Sequence, residues 1–116
     1  MSTIDKVILS GSTQGQPISV AATSTPGTTI HTTGVSATII DEIWLYATNN
    51  DTVSRNLTIE YGSGNIELAI PAKSGLSLVV TGLVLTGSGV AGTVVRAFAS
   101  AANQIRIVGY VNRITP

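Results

Sequence analysis

The 116-residue sequence contains no cysteine. Disulfide bridges and thiolate metal sites are therefore excluded, and with them the secreted disulfide scaffold. Charge is almost as scarce. Only 10% of residues are Asp, Glu, Lys or Arg, against about 25% in an ordinary soluble domain. Six acidic residues balance six basic ones, so the chain offers no basic stripe of the kind nucleic acid requires. Histidine occurs once, as His31. A zinc site with one histidine and no cysteine would need several carboxylates, and the acidic residues here are scattered. No apolar stretch reaches the roughly 18 residues of a membrane-spanning helix. The opening MSTIDKVILSG lacks the basic segment and long apolar run of a signal peptide, so synthesis in the cytoplasm is expected.

What is abundant is the β-branched residue. Val, Ile and Thr supply 41 of the 116 positions, and these side chains suit a pleated surface better than a helix. Twelve glycines, with many Ser, Thr and Asn, stand between the apolar runs as turn formers. The length fits one domain, which would bury roughly 65% of the surface its unfolded chain exposes. A free monomer with so few charges is prone to associate. Either a Thr- and Ser-rich surface keeps it wet, or copies of itself or a larger assembly cover much of that surface, as charge-depleted interface cores are covered.

The longest strand-like run is Ala37 to Asn49, which carries the one tryptophan, Trp44. Period two places Ile39, Asp41, Ile43, Leu45 and Ala47 on one face and Ile40, Glu42, Trp44, Tyr46 and Thr48 on the other. Both faces are apolar in the middle, which predicts a central strand with one face on its own core and the other against a second layer or subunit.

Around it the chain reads as further strands: Thr3 to Ser10, Ile18 to Ala22, Thr28 to Thr33, Val53 to Tyr61, Asn65 to Ile70, Leu76 to Val80, Leu83 to Leu85, Thr93 to Ser100 and Gln104 to Ile114. Gly62-Ser63-Gly64-Asn65 closes the clearest hairpin. Val95 to Asn103 is the one stretch that could instead be helical. Eight to ten short strands at turn spacings of about ten residues predict an all-β fold: a single antiparallel β-sandwich, jelly-roll-like, spanning residues 1–116, with 1–10 as an N-terminal strand or arm.

Motifs that could carry chemistry are weak. Gly87 to Gly92 matches G-x-G-x-x-G, but a strand former follows where a helix is needed, and no acid occurs after Glu67. His31 is expected as an exposed edge residue on TTIHTT. A Ser-His-Asp set with His31 and Asp41 is formally available, but no strained nucleophile turn accompanies it. Asp41 and Glu42 should point to opposite faces at the sheet rim, so they cannot act as an acid/base pair. Arg96 is expected to pair with Glu60 or Glu67 across strands or subunits. Trp44, Tyr46, Tyr61 and Tyr110 are expected in core or subunit packing, with a sugar-binding face as the alternative. The N-x-T triplets at Asn50 and Asn56 are read as chance in a chain without a secretion signal.

The run Ile70-Pro71-Ala72-Lys73-Ser74-Gly75-Leu76-Ser77-Leu78 is similar to a recurrent I-P-A-x-x-x-L turn in small virion proteins of tailed bacteriophages. With Leu83-Val84-Leu85, Val95-Arg96-Ala97, Ala99 to Ile105 and Val108-Gly109-Tyr110, the layout of residues 37–114 resembles head-decoration (cement) and tail-associated β-sandwich proteins. The resemblance implies a structural protein of the virion that oligomerises as a dimer or trimer and stabilises the shell over junctions of the major capsid protein. It implies no chemistry, cofactor, metal, nucleic acid, membrane or small-molecule substrate. A tail, fibre or head–tail joining role, with glycan binding, is the alternative. The resemblance carries over no site residues. Candidate partner contacts are the N-terminal segment Ser2, Thr3, Ile4, Asp5 and Lys6 and the edge segment Thr28, Thr29, Ile30 and His31.

Overall fold

Alternating apolar and polar residues become nine strands in the computed structural model, which describes residues 2–116. They are β1 (Thr3–Ile8), β2 (Ile18–Ser19), β3 (Thr28–Thr32), β4 (Ile40–Asn49), β5 (Arg55–Tyr61), β6 (Gly64–Ile70), β7 (Ser77–Leu85), β8 (Val94–Ala99) and β9 (Ile105–Thr115). The described residues contain no helix; Val95 to Asn103 is strand followed by turn.

Two antiparallel sheets form a sandwich. The front sheet has the order β1-β9-β4-β7, with β2 also on β9, and the back sheet has the order β3-β8-β5-β6. The pairs β5–β6, β4–β7, β3–β8 and β1–β9 are nested one inside the next. Rolling such a nested hairpin adds the lateral pairs β4–β9 and β5–β8. This wrapping fits a jelly roll.

The core lies between the inward faces. Ile43, Leu45 and Ala47 of β4 and Ile105, Ile107 and Val111 of β9 meet Leu57 and Ile59 of β5 and Val95 and Ala97 of β8, all fully buried. Each large aliphatic among them contributes roughly 1.5–3 kcal/mol by leaving water. β4 is central as its pattern requires, hydrogen-bonded to β9 on one side and β7 on the other.

Two glycines allow β4 its neighbours. A Cβ at Gly109 would run into the Trp44 carbonyl oxygen and Leu45 Cα. Gly82 interrupts no strand: it sits at φ +74 inside a continuous β7, beside a register shift at Ile43/Trp44, and its bare Cα leaves room for the Trp44 ring.

A β-bulge also decides the fate of β3. It is an edge strand, as its polarity suggests, but its register shifts between Thr29 and His31. The extra residue breaks the alternation, and Ile30 and His31 both turn inward. His31 is 1% exposed, not an exposed edge residue.

Candidate functional site

The two outer faces of the sandwich differ in chemistry. On the back sheet, Asn56, Thr58 and Glu60 of β5, Asn65 and Glu67 of β6 and Arg96 of β8 alternate with the core residues. That surface is mainly polar, with Val94, Phe98 and Ala69 as its apolar members and Thr58 buried among them. The outer face of the front sheet is not.

Cross-strand register resolves the front face into rows, because directly opposed residues share a face. The first row is Ile4, Ile114 and Ile40. The second is Lys6, Asn112, Glu42 and Val84. The third is Ile8, Tyr110, Trp44 and Thr81, and the fourth is Val108, Tyr46 and Leu78. Arg106 and Thr48 end the series. Ile4 is 66% exposed, Val84 54%, Ile8 52% and Leu78 46%. The first, third and fourth rows are therefore apolar or aromatic apart from Thr81, across strands that no other described residue covers. A contiguous apolar face of this extent marks an interaction surface.

The middle of the face is ordered by side-chain contacts. The Trp44 ring lies against Gly82 on one side and stacks with Tyr110 on the other, centroids 6.3 Å apart and planes 11° from parallel. Lys6 Nζ sits over the Tyr110 ring, 4.7 Å from its centroid. Trp44 Nε1 and Asn112 Nδ2 both donate to Glu42 Oε1, at 2.7 and 3.1 Å. These bonds, that from Trp44 foremost, hold the Glu42 carboxyl below the usual carboxylate range.

Under this face lies a buried ionic cluster that ties the sheets together. Asp41 of β4, 1% exposed, points inward while Glu42 points out. The two do face opposite ways, but Asp41 belongs to the interior and not to a rim. Arg113, its cross-strand partner on β9, donates from Nε to Oδ1 at 2.8 Å and from Nη2 to Oδ2 at 2.9 Å. His31 Nε2 of the back sheet lies 2.8 Å from Asp41 Oδ2. The Ser10 backbone N–H donates to His31 Nδ1 at 3.0 Å, which leaves the ring proton on Nε2, directed at the carboxylate. Burial pushes the Asp41 carboxyl up, but the bonds from Arg113 and His31 together with the Arg113 charge outweigh it and hold the group below its ordinary value.

The cluster contains the His31–Asp41 half of a Ser-His-Asp arrangement, but in a structural role. Ser10 meets the imidazole through its backbone N–H, and its Oγ accepts from the Thr32 N–H at 2.7 Å. Both ring nitrogens are thus engaged by groups other than a hydroxyl, so no nucleophile is set against the ring. Among the described residues, no three His, Cys, Asp or Glu side chains converge as metal ligands would. Two shallow depressions on the back sheet share Glu67 as their one titratable side chain, and a third beside β7 is apolar.

The candidate contacts separate. Ser2 is exposed, and Thr3, Ile4, Asp5 and Lys6 lie on β1 at the open edge of the front sheet. Ile4 and Lys6 stand on the apolar outer face. Of the second segment only Thr28 and Thr29 reach the surface; the bulge has buried Ile30 and His31. Arg96 is the cross-strand neighbour of Glu60 but forms no ion pair with it, because the Glu60 carboxylate accepts from Thr25 Oγ1 and the Gly27 N–H. Gly87 to Gly92 packs back onto Val35 and Ser36 through the Gly87 and Gly89 N–H groups, and β8 follows it. The residues sequence reasoning missed are Ile8, Ile114, Leu78 and Val84, whose shared face is set by pairings between distant strands. No family model matches the chain, and no curated protein or solved structure is significantly similar to it.

Proposed function

We propose that this chain is a structural assembly module that self-associates and attaches to a larger protein shell, in the manner of the phage head-decoration proteins its sequence resembles. The observation that carries the reading is the contrast between the mainly polar outer face of the back sheet and the uncovered apolar rows of the front sheet. Each outer face carries three charged side chains, Lys6, Glu42 and Arg106 on the front and Glu60, Glu67 and Arg96 on the back, so the faces differ in their large aliphatic and aromatic residues and not in charge. A rigid sandwich with a built-in ionic clamp suits a part that bears load and performs no reaction. Many copies on one shell would add up weak contacts by multivalency.

The test is solution mass by light scattering, followed by co-sedimentation with assembled phage shells and with unassembled shell subunits. An oligomer that sediments with shells and ignores free subunits is the expected result. A monomer that ignores shells refutes the reading.

The stacked Trp44–Tyr110 pair favours a second reading, a tail or fibre module that stacks sugar rings on this platform. Quenching or a blue shift of Trp44 fluorescence on titration with cell-surface polysaccharide would support it, and an unchanged spectrum would refute it.

A further inference from the structure

We infer that the outer face of the front sheet is covered by a second copy of the same face, related by a twofold axis running along β9, so that Lys6 of each copy meets Glu42 of the other. The inference rests on the self-assembling reading above and specifies its surface and symmetry.

Charge placement selects the axis. Lys6 on β1 and Glu42 on β4 occupy one row, on either side of Asn112 of β9. A twofold axis along β9 reverses the order of strands but keeps the rows level. The Lys6 of one copy then stands over the Glu42 of the other, twice. Within one chain, Lys6 and Glu42 form no ion pair among the described residues. Glu42 uses Oε1 for both of its hydrogen bonds and leaves Oε2 available. An axis between β9 and β4 would instead press Lys6 onto Val84, burying a charge without a partner.

The apolar rows agree with the same axis. Ile4 would face Ile40, Ile8 would face Trp44, and Tyr110 would face its own copy, so each of these rows meets apolar surface. Arg106 meets its own copy at the end of the series. Aligned sheets cross at about 30°, so the ends of β9 diverge there and both guanidinium groups reach solvent.

The axis overlays β1, β9 and β4 of one copy on β4, β9 and β1 of the other and leaves β7, with Val84 and Leu78, at the margin. Three strands about 4.8 Å apart, over nine residues at about 3.4 Å each, present roughly 440 Å² in projection. That is at the small end of specific interfaces, so the dimer should dissociate on dilution.

The experiment measures dimerisation by sedimentation velocity over a dilution series for the wild type, Lys6→Glu, Glu42→Lys and the double variant, with far-ultraviolet circular dichroism to establish folding. Wild type should be a dimer. Each single reversal places two like-charged pairs in the interface and should weaken dimerisation about tenfold or more, and raised salt should lessen the difference. The double variant restores opposite charges and should dimerise again. Mixing the two single variants should yield heterodimers, because a chain with Glu at both positions then faces one with Lys at both. A misfolded variant could not give that rescue.

A wild-type dimer indifferent to both reversals overturns the face assignment while leaving self-assembly standing. Weakening without rescue in the double variant and the mixture overturns the Lys6–Glu42 contact. A trimer overturns the twofold geometry. A wild-type monomer overturns the inference, and shell co-sedimentation then decides separately whether the assembly reading survives.

Discussion

Replacing Asp41 by Ala should be among the most damaging single changes in the chain. The carboxylate is 1% exposed and accepts three charge-assisted bonds, two from Arg113 and one from His31. Its partners fare differently when it is lost. Arg113 is 31% exposed and can turn to water, but His31 is 1% exposed and its Nε2–H has nowhere to go. An unsatisfied buried donor costs about 1–3 kcal/mol, and breaking a buried pair by removing one partner about 3–5 kcal/mol. The second range applies here as the upper bound, because Arg113 can rehydrate. A domain of this length has a total stability of about 6–17 kcal/mol, so the variant loses a large share of it. At about 4 °C per kcal/mol, Tm should fall by roughly 4–20 °C. The assay is urea unfolding followed by circular dichroism, with Asp41→Asn as companion. Asn keeps the shape but turns an amide N–H₂ toward donors, so it should also destabilise by more than about 1 kcal/mol. If both variants unfold within about 0.5 kcal/mol of wild type, the cluster does not hold the sheets together.

The same carboxylate sets an acid limb. Its folded value lies below the ordinary 3.8, so its contribution is complete above that value and is lost as pH falls through the folded value. Stability of the wild type should decline below about pH 4 more steeply than that of Asp41→Asn, as equilibrium melts across about pH 2–6 would measure. Gly109→Ala should cost more than about 3 kcal/mol, since its Cβ meets β4 backbone that cannot move without breaking the β4–β9 ladder; a thermal melt within a few degrees of wild type would contradict this. Asn49, fully buried, donates to the Val53 and Ile70 carbonyls and accepts from the Asp51 N–H. Asn49→Ala should therefore cost about 2–4 kcal/mol in chemical denaturation and raise hydrogen exchange in the β4–β5 turn.

The strands are legible in the sequence because period-two runs, such as Leu57, Ile59 and Tyr61, are bounded by Gly and Asn turns. The doubly apolar β4 likewise announces an outer face that wants cover. What lies beyond reach is long-range register. Ile4, Ile114 and Ile40 share a row only because β9 pairs with both β1 and β4, and no local pattern encodes that. Arg113 finds Asp41 by the same pairing, across 72 positions. His31 defeats the periodic reading because a single-residue bulge reverses alternation and leaves no mark in TTIHTT. Gly82 looks like a break between two strands, where the chain uses its positive φ to keep one strand and seat an indole.

The nesting of strands also dictates an order of events during synthesis. The front sheet is built around β9, which is the shared neighbour of β1, β2 and β4 and comes after the other eight described strands in the chain. Until Ile105–Thr115 has emerged from the ribosome, those three strands have no partner on that side, and the uncharged β7 can shield only one edge of β4. The local hairpin β5–β6 needs no distant segment and can close first. Assembly then proceeds outward through the nested pairs, each shortening the loop that the next must close. A nascent chain of this protein thus carries its stickiest face on its least finished sheet until β9 arrives.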